Sequence, residues 1–274
     1  MANYLYFCTL SIANNVLSLR PYYHPMQSVI PAEEKEVTYT EFLPCEALRP
    51  FIYCYWELKS PPRNTPFFYR VVADGCIDLF FDCNNAQMSS LMGYCNTYVE
   101  FPITGAFHYV GVRFLPSAFP LLFGQDAFEI SAQEIPLREV VPALATFITQ
   151  QLETPLSLAT IAQCLDNYFL RHLSQRPLQM DNRFFSALFQ ILQSKGSIHI
   201  SELDTGISTR QLRRLFDYYI GDSPKTFSNI VRFQHILSAK AYQNHSFLDT
   251  YYDQAHFIKS FKTFYGDTPS KVLG

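Results

Sequence analysis

The sequence has 274 residues, enough for two domains that each bury a core. A hydrophobic share of 48% excludes a disordered chain, and no apolar run is long enough to cross a bilayer. The net charge of −3 is unevenly spread: residues 1–181 carry 10 Lys and Arg against 17 Asp and Glu, residues 182–274 carry 11 against 7. An acidic front and a basic back point the back towards a polyanion, although four charges could also arise by chance.

The seven cysteines, at 8, 45, 54, 76, 83, 95 and 164, include no Cys-x-x-Cys pair and are odd in number. They read as small buried hydrophobes in a reduced cytoplasm rather than as disulfides or metal ligands. The first 19 residues lack a basic leader and a cleavage site, so they are read as neither signal peptide nor anchor. Pro21, Pro25 and Pro31 break residues 1–40 into an irregular lead of no evident role.

From Thr40 to about Gln133 the pattern is mostly β. Arg70–Phe81 holds two apolar runs around the turn dipeptide Asp74-Gly75, and Tyr109–Phe114 alternates with Val110, Val112 and Phe114 on one face. A small, largely antiparallel sheet or barrel with helices at its edge is expected. From Pro142 to Leu173 the pattern is helical, with Pro155 as its main breaker, and polar Ser174–Asp181 reads as a linker. The predicted fold class is α+β: an N-terminal antiparallel β domain over 1–173, and an all-α domain over 182–274.

The C-terminal part is the most specific. Asp181 predicts an N-cap, Phe184, Leu188, Ile191 and Leu192 recur at helical spacing, and Gly196 stops the helix. Ser201-x-x-Asp204 predicts a short second helix, and Thr205-Gly206 a turn. Ser208-x-x-Gln211 is a capping box, with Ile207 and Leu212 placed as a hydrophobic staple. Leu212, Leu215, Phe216 and Tyr219 form one apolar stripe, and Gly221 ends the helix. Thr209, Arg210, Arg213, Arg214 and Asp217 are left facing outward. This is the layout of a helix-turn-helix, and an arginine fork there can bond two acceptors on a guanine edge. A solvated amphipathic helix would look the same taken alone.

The pattern repeats 45 residues on. Phe216–Lys225 (FDYYIGDSPK) matches Phe261–Ser270 (FKTFYGDTPS), and Ser208, Leu212, Tyr219, Gly221 and Pro224 fall on Asp253, Phe257, Phe264, Gly266 and Pro269. Two recognition-type helices are therefore expected, at about 208–220 and 253–265. Pro224–Gln243 between them reads as a long helix buried on a wide arc.

The stretches SxRQLRRLF (208–216), GDSPKTFSNIVRFQ (221–234) and YYDQAHFIKSFKTFYGDTP (251–269) resemble the AraC/XylS family of bacterial transcription regulators. The resemblance covers about 182–274. It implies two helix-turn-helix units joined by a long helix, their reading helices entering successive major-groove faces of double-stranded DNA. Carried over by motif, it implicates Arg210, Arg213 and Arg214, with Thr209 beside them, in the first reading helix. In the second it implicates Gln254, Ala255, Ile258 and Lys259, and Lys225 and Lys262 become candidate phosphate contacts. More weakly, ALRPFIYCYWEL (47–58), ADGCIDLFF (73–81) and GVRFLPSAFPLLFG (111–124) resemble a domain fused to such regulators, which implies a sensing or dimerising role.

Two departures qualify this. The first unit is about two residues short before Ser208. The second is about five short, with only Asn244–Thr250 where a helix and turn belong, which predicts a weakened second head. No cofactor, metal or membrane partner is expected. RNA polymerase, a small-molecule effector and a second copy of the chain remain open as partners. Two rivals stay open as well. One is an interaction protein that has lost DNA binding. The other is an enzyme in the N-terminal barrel, for which His24, His108, His172 and the spaced Asp74, Asp78 and Asp82 are the sparse raw material. The aromatic-rich front lines a pocket or, more simply, packs a core.

Overall fold

A computed structural model describes residues 18–27, 30–152, 156–175, 177–238 and 254–273. The N-terminal part is built on eight strands: β1 (Thr38–Phe42), β2 (Ile52–Ser60), β3 (Phe67–Val71), β4 (Ile77–Asp82), β5 (Asn85–Met92), β6 (Val99–Ile103), β7 (Phe107–Phe114) and β8 (Glu134–Pro136). Six form one antiparallel sheet in the order β1-β2-β7-β4-β5-β8, and β3 pairs with β6 in a second. The expected antiparallel sheet is thus two sheets. Asp74-Gly75 is not a hairpin turn: it carries the chain from β3 in the small sheet to β4 in the large one.

Alternation decides what each face of the large sheet does. Val110, Val112 and Phe114 of β7 lie on one face with Leu79, Phe81 and Tyr55, and this face packs against the helices. These are α1 (Ala118–Phe123), α2 (Leu137–Val140), α3 (Pro142–Gln151) and α4 (Leu158–Gln175). Asp166 of α4 ties the layers together, accepting from the Tyr55 hydroxyl at 2.7 Å and from the Cys45 amide at 3.1 Å. The other face turns Cys54, Trp56 and Leu58 towards Phe67 and Tyr69 of the small sheet. Gly111 on that face is required by packing, because a Cβ would lie 2.2 Å from the Trp56 ring.

The C-terminal helices are α5 (Asn182–Gln193), α6 (Thr209–Ile220), α7 (Pro224–Ser238), α8 (Gln254–Tyr265) and α9 (Pro269–Val272). Asp181 caps α5 by accepting from the Arg183 amide, and Gly196 at φ +74° follows its end. The short helix expected from Ser201 is instead one 3-10 turn, Ile200–Glu202, capped from His199. The expected long helix runs from Pro224 to Ser238, and the rest of its predicted span lies outside the described residues, as does the shortened segment Asn244–Thr250.

The expected linker is not a gap. Its first residues, Ser174 and Gln175, still belong to α4, and Leu178 and Met180 pack on an apolar core that continues into the C-terminal helices. Nor is the lead wholly without structure. Leu19 and Tyr23 are buried, and the strand-less segment 18–27 straps β2 of the large sheet, through Arg20 to the Ile52 carbonyl, to α7, through Met26 to Gln234. The six described cysteines are free. Burial pushes the thiol of Cys45 up to about 11 and those of Cys83 and Cys95 to about 12, so they stay protonated and act as small hydrophobes. Among the described residues no helix is long and apolar enough to cross a membrane.

Candidate nucleic-acid interface

Helix α6 forms where the Ser208 box starts it. The Ser208 hydroxyl accepts from the Gln211 amide at 3.3 Å, and Gln211 Oε1 accepts from the Ser208 amide at 3.1 Å. Leu212, Phe216, Tyr219 and Ile220 are buried, and Leu215 is half-buried. Their anchor is α5, where Phe184 stacks on Tyr219 at 4.4 Å and meets Phe216 edge-on at 5.0 Å. Such ring pairs add about 0.5–1.5 kcal/mol each beyond the area they bury. Gly221 ends the helix at φ +100°, its N–H reaching the carbonyls of Phe216 and Asp217.

The packed stripe leaves Thr209, Arg210, Arg213 and Arg214 exposed along the opposite face. Arg213 lies 3.9 Å from Asp217 one turn on, a surface pair that holds little energy and leaves the guanidinium available to a partner. Lys225, in the first turn of α7, is exposed too.

Helix α8 repeats the construction. Phe257, Phe261, Phe264 and Tyr265 are buried, with Phe261 5.3 Å from Phe233 of α7. Gly266 follows at φ +92°, and Pro269 opens α9 as Pro224 opens α7. In both copies the Gly-Asp-Ser/Thr-Pro corner is set the same way, the aspartate accepting from the next amide: Asp222 from Ser223 at 2.6 Å, Asp267 from Thr268 at 2.8 Å. Gln254, Ala255, Ile258, Lys259 and Lys262 lie exposed, Ile258 at 38% an outward-facing aliphatic on a short helix. Asp253, the expected cap, lies outside the described residues. All ten sequence-selected residues are therefore exposed, four on α6, five on α8 and one at the start of α7.

The acidic residues considered for an enzyme go elsewhere. Arg113, 1% exposed, holds Asp78 through Nη2 to Oδ2 at 2.8 Å and Nε to Oδ1 at 3.2 Å, and Asp74 lies 3.4 Å from its Nε. Asp82 turns away and accepts from the Asn84 amide in the β4–β5 turn. His108 pairs with Glu57 at 2.8 Å, His172 meets the Leu122 carbonyl at 2.9 Å, and His24 is exposed, so the three imidazoles are dispersed. Among the described residues no three His, Cys, Asp or Glu side chains are grouped to hold a metal.

Residues 40–136, which span all eight strands except the first residues of β1, match a family described as a domain of unknown function, DUF6597. A curated relative from Haemophilus influenzae, named an uncharacterized HTH-type transcriptional regulator, is 27% identical over 187 residues, 61% of this chain. The match spans 60% of that relative's length. Over that span the chain is similar to an HTH-type transcriptional regulator. Among solved structures, ToxT from Vibrio cholerae O395 aligns with 88% of this chain and 98% of its own at 10% identity, with a TM-score of 0.38. The α+β class is seen directly in the two sheets and the C-terminal helices.

Proposed function

We propose that the chain is a sequence-specific DNA-binding transcription regulator. Residues 182–274 form its DNA-binding part, 1–173 a sensing or dimerising part, and 174–181 the connection. The observation that carries this reading is the repeated construction of α6 and α8. Each is a twelve-residue helix packed by the same stripe, closed by the same glycine, and bare on the face that holds the selected residues. In this reading the two helices enter successive major-groove faces. Arg210, Arg213 and Arg214 read base edges beside Thr209, while Gln254, Ala255, Ile258 and Lys259 form the second contact. Lys225 and Lys262 hold phosphates, which fix register without reading sequence.

The single 3-10 turn before α6 supports a shallow first unit, braced by α5 rather than by a full positioning helix. Selection of duplexes from a random pool by the full chain tests the function. The expected winner carries two blocks about one helical turn apart and outcompetes a scrambled duplex by at least about a thousandfold. No enrichment, with affinity flat in salt, would replace this reading with that of an interaction protein.

A further inference from the structure

Between the two sheets lies a cavity of about 340 Å³ that the DNA-facing reading does not use. Its walls are aromatic and aliphatic, with Trp56, Tyr69, Phe80, Phe101 and Tyr109 the largest side chains. Its charged groups are all acidic: Asp74 and Asp78 line the floor, and the exposed Glu134 of β8 lines it too. Among the described residues no Lys or Arg side chain lines it. Arg113 sits behind the two floor carboxylates and also lies 3.8 Å from Glu41, so one guanidinium serves three acidic side chains. The indole N–H of Trp56, buried to 5% exposure, stands beside Asp78 without completing a hydrogen bond. Burial raises both aspartates, Asp78 to about 6, and Arg113 opposes the rise in each.

We propose that this cavity binds a small organic cation, a protonated amine on an aromatic or aliphatic body, with the ammonium against Asp74 and Asp78. The cation supplies the charge the floor lacks, the aromatic walls attract it through their ring faces, and the volume suits on the order of ten heavy atoms. A carboxylate ligand would meet like charge, and a neutral one would leave the floor as it stands.

The same floor is wired to the C-terminal helices. The Ala73 amide donates to the Phe264 carbonyl of α8 at 3.1 Å, and the Ala73 carbonyl accepts from Gln234 of α7 at 2.8 Å. Tyr23 donates to the Asp74 carbonyl at 2.6 Å, and Gln27 to its carboxylate at 2.7 Å. Drawing Asp74 towards a bound ammonium pulls on the peptide that holds both α7 and α8. Occupancy therefore changes DNA affinity, a consequence that rests on the DNA-binding reading.

The test uses the full chain and titration calorimetry with tryptamine, its neutral analogue tryptophol and its acidic analogue indole-3-acetate. The amine is expected to bind at least about tenfold tighter than the alcohol, with no binding of the acid. Equal binding of amine and alcohol, preference for the acid, or no binding of any at millimolar concentration overturns the site. Asp78→Asn should weaken the amine by about tenfold and leave the alcohol unchanged. Should that variant not fold, the wild type carries the test through pH. Amine affinity should rise as pH passes about 6, where Asp78 loses its proton, and a flat profile between pH 5 and 8 overturns the assignment. The groups facing Asp78 are Asp74, Arg113, Trp56, Tyr69, Cys54 and Cys76; the phenol and both thiols are raised by burial and stay neutral in that range. Tryptamine should also shift affinity for the selected duplex by at least about threefold, and lose that effect but not its own binding in Gln234→Leu. Amine binding with an unmoved duplex overturns the wiring alone. Amine binding by a chain that selects no duplex sinks the DNA reading and keeps the site, and duplex selection without amine binding does the reverse.

Discussion

The side-chain amide of Gln234, in the middle of α7, donates to the main-chain carbonyl of Ala73, 161 residues earlier, across 2.8 Å. Gln234 is 1% exposed and uses its whole amide: Nε2 also donates to the Met26 carbonyl at 3.1 Å, and Oε1 accepts from the Met26 amide at 2.7 Å. One side chain thus closes three main-chain groups from two segments of the N-terminal part. Gln234→Leu leaves the Ala73 carbonyl buried without this donor and frees both part-buried Met26 groups, so a loss of about 1–3 kcal/mol is expected. Urea unfolding measures it, and hydrogen exchange should show the Met26 amide opening first. A midpoint unchanged from wild type would mean that the junction is not held by this residue.

The glycine that ends α6 makes a second prediction. Gly221 sits at φ +100°, and a Cβ there would lie 2.9 Å from the Ala127 carbonyl. Ala127 donates its own amide to the Tyr218 carbonyl, so the loop before β8 is docked on this helix end. Gly221→Ala should cost more than the roughly 1 kcal/mol of a lost αL glycine, because conformation and contact both resist it. Ser208→Ala, which removes only the cap, should cost about 1 kcal/mol. Thermal unfolding of the two variants orders them, and a smaller loss for Gly221→Ala would contradict the docking.

The contrast between these sites shows what a sequence reveals. The cap, stripe and stop of α6 are local: each signal lies within about one turn of its partner, so Ser208, Gln211 and Gly221 could be read in advance. The strap 18–27 could not, because its prolines erase periodicity and its partner Gln234 is 208 residues away. Asp74-Gly75 announces a change of direction, but a turn dipeptide does not say which sheet the next strand joins. Arg113 is the plainest case. Alternation in β7 puts it on a face with Tyr109 and Gly111, where a lone arginine reads as solvent-facing. Only the register pairing Asp78 with Arg113 explains its burial, and with it the acidic floor.

The floor itself yields a pH prediction. Burial raises Asp78 to about 6, above its value in an unfolded chain, so the folded state binds the extra proton between about pH 4 and 6. The contribution of Asp78 to stability is therefore full below about pH 4 and is lost as pH rises through 6. Asp181 and Asp267 are shifted the other way by hydrogen bonds to their charged forms, and their contributions weaken as pH falls. The comparison of variants isolates the term. Asp78→Asn should be less stable than wild type by a margin that is larger at pH 4.5 than at pH 7. A margin that grows with pH would mean that Asp78 is held charged by Arg113 throughout.

The two heads are not expected to contribute equally. Arg210, Arg213 and Arg214 place three forked donors on α6, whereas α8 offers Gln254, Ala255, Ile258 and Lys259, with one charge and two apolar side chains. The forks can each take two acceptors on a guanine edge, while Lys259 acts as a point charge and Ile258 and Ala255 contribute only apolar contact. Arg213→Ala should cost about 1–3 kcal/mol and relax preference at one base pair. Lys225→Ala and Lys262→Ala should weaken all duplexes alike and lower the salt slope by about 1 each. Gln254→Ala and Lys259→Ala should change sequence preference less than Arg213→Ala does. Selection repeated with each variant decides it: if the α8 substitutions rewrite the preferred site as fully as Arg213→Ala, both heads read bases, and the shortened segment before α8 does not weaken it.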